Sequence, residues 1–130
     1  MVTDPIADFI TRLKNATDAK KTTVSLPYSI LKENIAAVLE KAGYIKSFEK
    51  KGKKVNKTLD IELVYINEVP RITGVDRMSK PSRRMYQKSK DIRPFKSGYG
   101  SVVFSTPKGI LLDIDAKKLK VGGEVLFKIW

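Results

Sequence analysis

Two hydroxyls, an ammonium and a glycine crowd into Ser105-Thr106-Pro107-Lys108-Gly109. Proline presets a tight turn and glycine permits positive φ, so the polar groups project from a rigid loop. Such a loop suits a ribose 2′-hydroxyl or exposed base edges, and its lysine suits phosphate. Taken alone, the segment also reads as an ordinary hairpin turn. Gly122-Gly123-Glu124 poses a different question, because a carboxylate beside a phosphate partner is repelled. On a basic chain Glu124 has a use as acceptor for a base amino group, the contact that carboxylates make with cytosine. The alternative is a flexible turn with a solvated glutamate at the start of a strand. Gly98-x-Gly100 resembles half of a nucleotide-binding glycine loop, but it precedes a strand instead of a helix and is set aside.

Little remains that could do catalysis. The chain has no histidine, and so lacks the commonest general base and metal ligand. It has no cysteine, which removes disulfides, thiolate zinc sites and cysteine nucleophiles. Asp113 with Asp115, two residues apart, could in principle hold a magnesium ion, and Asp60 with Glu62 likewise. Alternate residues on a strand merely share a face, and Asp60 and Glu62 read as the wet side of a sheet. No metal, no cofactor and no enzymatic activity are expected.

The charge balance points to a polyanionic partner. Across 130 residues, 26 lysines and arginines face 14 acids, a net charge of +12. More than half of that excess lies in residues 71–96, where nine bases face only Asp76 and Asp91. Five of the six arginines are there, and arginine offers a planar fork matched to phosphate oxygens. Met78, Met85, Tyr86 and Phe95 interleave with them. A solvated basic loop is the plain reading; the arginines and aromatic residues favour a binding surface. With 42% hydrophobic and 31% charged residues, the chain is too apolar for a basic disordered tail and too charged for a membrane protein. No run approaches the roughly 20 apolar residues of a membrane span. A soluble, folded, strongly basic protein is expected.

The elements that would position these residues follow from periodicity. Asp4-Pro5 caps and starts a helix to about Ala19, with Ile6, Phe9, Ile10 and Leu13 on one stripe and Arg12 and Asn15 on the opposite face. Thr22–Leu26 reads as a strand. Ser29 caps a second helix with Leu31, Ile35, Val38, Leu39 and Ala42 buried, and Gly43 ends it. Tyr44–Lys50 is a strand and Lys51-Gly52-Lys53-Lys54 a turn, after which Leu59, Ile61 and Leu63 alternate with Asp60 and Glu62. Beyond residue 70 the texture changes to short strands at 72–75, 85–87, 101–105, 109–112 and 124–130, with a turn around Asp113, Asp115 and Ala116. The fold class is α+β in two small lobes: an N-terminal helix–strand–helix–strand–strand lobe over 1–66, a linker at 67–70 and a mainly β lobe over 71–130.

Taken together, these segments resemble the bacterial ribosomal small-subunit protein eight family along essentially the whole chain. Residues 3–16 resemble its amino-terminal helix almost position for position. Arg77-Met78-Ser79-Lys80-Pro81 with Arg84 and Tyr86 resembles its central basic segment. Gly98-Tyr99-Gly100, Ser105-Thr106-x-x-Gly109 and Gly122-Gly123-Glu124 resemble its carboxy-terminal signature. The resemblance implies a cytoplasmic structural protein of the small subunit that binds the central domain of 16S ribosomal RNA early in assembly. It implies neighbouring small-subunit proteins, notably five and twelve, and translational repression of its own messenger RNA in many members. Recognition would come mostly from the second lobe. Arg84, Tyr86 and Lys88, the turn Ser105, Thr106, Pro107, Lys108 and Gly109, and then Gly122, Gly123 and Glu124 are its expected RNA-binding residues. Thr3, Asp4, Pro5, Arg12, Asn15 and Lys32 would add contacts from the first. Two positions depart from the family pattern. Pro107 stands where a third hydroxyl residue is usual, removing a side-chain donor and an N–H. Ser82 stands where a glycine is usual after Lys-Pro.

Two rival functions make distinct demands. A nonspecific packaging protein needs charge spread evenly, against the concentration in 71–96. A metal-dependent nuclease needs the aspartates converged on a cation.

Overall fold

A computed structural model describes residues 4–52, 57–80, 82–93, 95 and 100–130, and the chain divides into two units. One is Asp8–Thr73; the other joins residues 4–7 to Gly74–Trp130. The division therefore falls inside α1 (Pro5–Asp18). This helix starts as expected, with the Ala7 N–H donating to Asp4 Oδ1 at 3.2 Å, and Ile6, Phe9, Ile10 and Leu13 are all buried.

In the Asp8–Thr73 unit, β1 (Thr23–Pro27), β3 (Thr58–Leu63) and β2 (Ile45–Lys51) form an antiparallel sheet in the order β1-β3-β2. Leu59, Ile61 and Leu63 of β3 are buried, and Leu26 lies opposite Leu59 and Phe48 opposite Ile61. Asp60 and Glu62 do occupy the wet face, where Ser25 Oγ donates to Asp60 at 2.7 Å and Ser47 Oγ to Glu62 at 3.2 Å. The residues 53–54 expected in the β2–β3 turn lie outside the described residues.

Helix α2 (Ile30–Lys41) packs on β2 and β3. The Ser29 hydroxyl accepts the Lys32 N–H, and Gly43 leaves the helix at φ +86°. Its buried stripe keeps Ile35 and Leu39 as expected, but the expected Val38 and Ala42 are only half-buried. Leu31 is exposed, and Lys32, Ile35, Ala36 and Leu39 are buried. These also fall at i, i+3, i+4 and i+7. A lysine stem can cover apolar surface when its ammonium finds a partner, here the Pro27 carbonyl at 3.1 Å. Residues 67–70, expected as a linker, hold the turn and second strand of a hairpin, β4 (Tyr65–Ile66) with β5 (Val69–Pro70). Asn67 and Glu68 turn it with φ of 52° and 68°, the positive values that a tight two-residue hairpin needs.

The second unit is built on β10 (Gly123–Ile129). One edge of β10 pairs with β8 (Ser101–Thr106), which pairs in turn with β9 (Gly109–Leu112). Its other edge is shared end to end by β6 (Val75–Arg77) and β7 (Tyr86–Gln87). One face carries a core of Ile92, Val102, Phe104, Ala116 and Val125, with Met78, Phe95, Leu111 and Val121 packed around it. The strand expected at 72–75 begins at Val75. Before it, Gly74 exchanges both backbone hydrogen bonds with Trp130 and lies under the indole, where a Cβ would collide with the ring. The turn expected around Asp113, Asp115 and Ala116 is a helix, α3 (Asp113–Lys118). Six residues are too few to display a 3.6-residue period. Asp113 is buried and accepts the Val102 N–H at 3.4 Å.

Arg77 and Asp4 tie the start of α1 into this unit. Arg77 Nε and Nη2 reach the two Asp4 oxygens at 3.0 and 3.2 Å, and Nη1 donates to the Leu126 carbonyl. Partial burial pushes the Asp4 carboxyl up, but the Arg77 hydrogen bonds and charge and the Ala7 and Ile6 N–H groups outweigh it. The carboxyl therefore lies below its ordinary range. A carboxylate with a depressed folded pKa contributes stability that is complete above the unfolded value, about 3.9, and is lost as pH falls through the folded one. Asp4→Asn should cost about 1–3 kcal/mol at pH 7, and in urea melts its gap from the unsubstituted chain should close below about pH 4.

Candidate nucleic-acid interface

The expected site residues of the second unit meet at one end of its sheet. Register places Tyr86 opposite Glu124, Glu124 opposite Ser105 and Ser105 opposite Ile110. A single row thus crosses β7, β10, β8 and β9, about 14 Å wide at the usual strand spacing. It faces away from the Phe104–Val125 core, because neighbouring residues on a strand point to opposite faces. Tyr86 is 72% exposed, and no hydrogen bond engages the Ser105 hydroxyl among the described residues.

Glu124 is held before any ligand arrives. Arg84 Nη1 donates to Glu124 Oε2 at 3.1 Å and Oε1 at 3.4 Å, with the glutamate side chain only 14% exposed and the arginine 51%. The guanidinium orients the carboxylate and offsets its charge, so a base amino group can approach an acceptor inside a basic surround. Thr106 is spent differently. Its Oγ1 donates to the Gly109 carbonyl at 2.8 Å and accepts the Lys108 N–H at 3.1 Å, which locks the turn. One acceptor lone pair is left to face outward. Gly109 takes φ +108°, as expected, and Pro107 and Lys108 are exposed at the tip.

Gly122 and Gly123 serve close approach instead of flexibility. A Cβ on Gly123 would sit inside the Ser105 carbonyl, and one on Gly122 would meet the Gln87 carbonyl and, at 2.9 Å, Lys88 Cα. The two glycines let β7 and β8 close against β10, which is what brings Tyr86, Glu124 and Ser105 into one row. Lys88 follows β7 and is exposed.

Ser79 was not singled out by the sequence, yet it shapes the neighbouring basic hairpin. It is fully buried, accepts the Met85 N–H at 2.8 Å and donates to the Met85 carbonyl at 3.2 Å. Inside this clamp Lys80 and Arg83 exchange both backbone bonds, and Lys80, Arg83 and Arg84 are exposed. Ser82 is exposed next to Pro81. Pro81, Lys96, Gly98 and Tyr99 lie outside the described residues. Among the described residues no group of three or more acids could hold a metal ion.

A row of one aromatic face, one fixed carboxylate and one uncommitted hydroxyl, ringed by cations, sets three different polar and stacking groups side by side. The family model for ribosomal protein S8 matches residues 4–130. The chain belongs to the ribosomal protein S8 family. It is a ribosomal protein and not an enzyme. It is 46% identical to the small ribosomal subunit protein uS8 of Persephonella marina over 136 residues, covering 100% of both chains. It is 46% identical to the uS8 protein of Corynebacterium efficiens and 44% to that of Mycoplasmopsis synoviae, each over 130 residues, 99% of this chain and 98% of the relative. No helix among the described residues is long and apolar enough to cross a membrane.

The amino-terminal residues that the S8 resemblance singled out are dispersed over several environments. Asp4 commits its carboxylate to Arg77 and to the helix cap, and Pro5 is exposed. Arg12 pairs with Asp8 at 3.1 Å. With the exposed Asn15 it lines a groove of about 470 Å³ beside Lys21, Thr23 and Ser25. Lys32 turns its ammonium inward to Pro27, and Thr3 lies outside the described residues. In the second unit, Gly123→Ala should cost about 1–3 kcal/mol in chemical denaturation because β8 and β10 must part. Ser79→Ala, which removes both bonds that the fully buried Ser79 hydroxyl makes to Met85, should cost about 1–2 kcal/mol by the same measurement.

Proposed function

We propose that this chain, a structural ribosomal protein of the small subunit, binds the central domain of 16S ribosomal RNA through the row Tyr86–Glu124–Ser105. The observation that carries the reading is the register across β7, β10 and β8, which aligns three chemically different groups on one open face. Each has a separate task. Tyr86 offers a ring on which an unstacked base lies, Glu124 accepts from a base amino group, and Ser105 donates or accepts according to what it meets. Bases are presented this way in irregular, partly unpaired RNA, whereas the deep groove of a regular A-form helix hides them.

The surrounding cations supply affinity. Lys88 and Lys108 are exposed point charges, and Lys80, Arg83 and Arg84 stand on the hairpin that Ser79 closes. Each phosphate contact releases counterions and steepens the dependence of affinity on salt.

Specificity and affinity can therefore be separated by mutation. Against a central-domain RNA fragment, Ser105→Ala should weaken binding by about 1–3 kcal/mol with the salt slope nearly unchanged. Thr106→Ala should do the same by loosening the turn, and Thr106→Ser, which keeps the bridging hydroxyl, should restore binding. Lys88→Ala should lower the slope by about one and weaken random RNA equally. Equal losses for Ser105→Ala on the fragment and on random RNA would refute this division of roles.

A further inference from the structure

Residues 50–57 read Lys-Lys-Gly-Lys-Lys-Val-Asn-Lys, five lysines in eight residues with no acid. The run spans the end of β2 and the residues leading into β3, so it is far denser in charge than 71–96. Counting over a longer window hides it behind Asp60, Glu62 and Glu68. The structure adds a reason to treat its two ends as one surface. Lys50 lies opposite Leu59, and Lys57 stands two residues before Leu59, so both share the face on which α2 packs. Tyr28 continues β1 past Pro27, and its N–H donates to the Lys57 carbonyl at 3.1 Å.

The two ammoniums converge on the Tyr28 ring, Lys50 Nζ at 5.2 Å and Lys57 Nζ at 5.7 Å from its centroid. Two like charges on one ring repel each other, and the ring quadrupole attracts them without neutralising either. Neither lysine enters an ion pair among the described residues; the neighbouring Lys51 takes Glu49 and Asp60 instead. Glu33 bears on Tyr28 and not on the lysines: hydrogen bonding to it, partial burial and its charge together raise the Tyr28 hydroxyl above its ordinary pKa. Both lysines are exposed.

We propose that Lys50 and Lys57, gathered by the Tyr28 ring, are a second RNA contact that grips the phosphate backbone without reading sequence. This rests on the reading that the chain binds ribosomal RNA. The chemistry selects phosphate over bases. The Tyr28 ring is already engaged by two ammoniums, and the patch holds lysine point charges without an arginine fork. Two adjacent ammoniums with freely turning donors fit neighbouring phosphates on a strand. An acidic protein segment that also uses Ile30, exposed two residues after Tyr28, is the competing occupant.

The test uses the full chain with Lys50→Gln and Lys57→Gln combined, titrated against intact 16S ribosomal RNA from 50 to 200 mM salt. Two lost phosphate contacts should flatten the slope by about 1.8, so that the unsubstituted chain loses about 12-fold more affinity across that range than the variant. Preference for the central domain over random RNA of equal length should be unchanged. Lys50→Arg with Lys57→Arg should keep the original slope, which ties the effect to charge and not to folding. An unchanged slope in the glutamine variant overturns the proposal, as does a loss of central-domain preference, which would make the patch part of the reading site. An unchanged slope together with reduced incorporation into small-subunit particles would assign the patch to a protein and equally overturn it. If the unsubstituted chain shows no central-domain preference while the slopes differ, the proposed function falls and the backbone contact stands.

Discussion

The second unit depends on β10 being able to accept strands on both edges at backbone distance. Its amino-terminal end lies between β7 and β8 with no room for a side chain at residue 123, and its far end pairs with β6 and β8. Every group in the row Tyr86–Glu124–Ser105 is aligned by that fit. Tyr86 is on a strand of only two residues, too short to hold itself in place, and owes its position to the ladder with Gly123 and Glu124. The glycine pair is thus a steric requirement at the centre of a sheet, and a chain with larger residues there would carry the same chemical groups without their alignment.

Charge in residues 71–96 is less available than its count suggests. Arg77 is held by Asp4 and the Leu126 carbonyl, and Arg71 lies 4.2 Å from the Tyr44 ring centroid. Arg84 is shared with Glu124. Most of the arginines, whose planar forks invite assignment to phosphate, are engaged within the protein, Arg84 by orienting the Glu124 carboxylate. Exposed lysines carry more of the remaining attraction. Fixed forks give geometry and mobile ammoniums give reach, the division that the proposed recognition of one RNA among polyanions would use.

What could be seen in the sequence was what is local. The caps and stripe of α1, the alternation in β3 and the glycine turn into β9 each declare themselves within a dozen residues. The ties that fix the site are remote. Arg77 and Asp4 are 73 positions apart, and Arg84 and Glu124 are 40 apart. Neither pairing leaves a local trace, because any of the 26 bases could face any of the 14 acids. Lys32 shows the converse failure. A hydrophobicity scale treats it as polar, yet its stem completes the buried stripe of α2, so the pattern with Leu31 fitted nearly as well and pointed to the wrong residue. The row itself was half legible: Ser105, Tyr86 and Glu124 stood out as types, but only the strand register shows that they are neighbours.

Because β10 follows in the chain every strand that it joins, the two units must differ in when they can form during synthesis. All three strands of the Asp8–Thr73 sheet leave the ribosome before residue 74. By contrast β6, β7 and β8 emerge with open edges and wait for a partner that arrives after them, and Asp4, the first described residue, waits nearly as long for the Leu126 segment that steadies Arg77. The row Tyr86–Glu124–Ser105 is consequently aligned only once β10 has been made, late relative to the three strands of the first sheet.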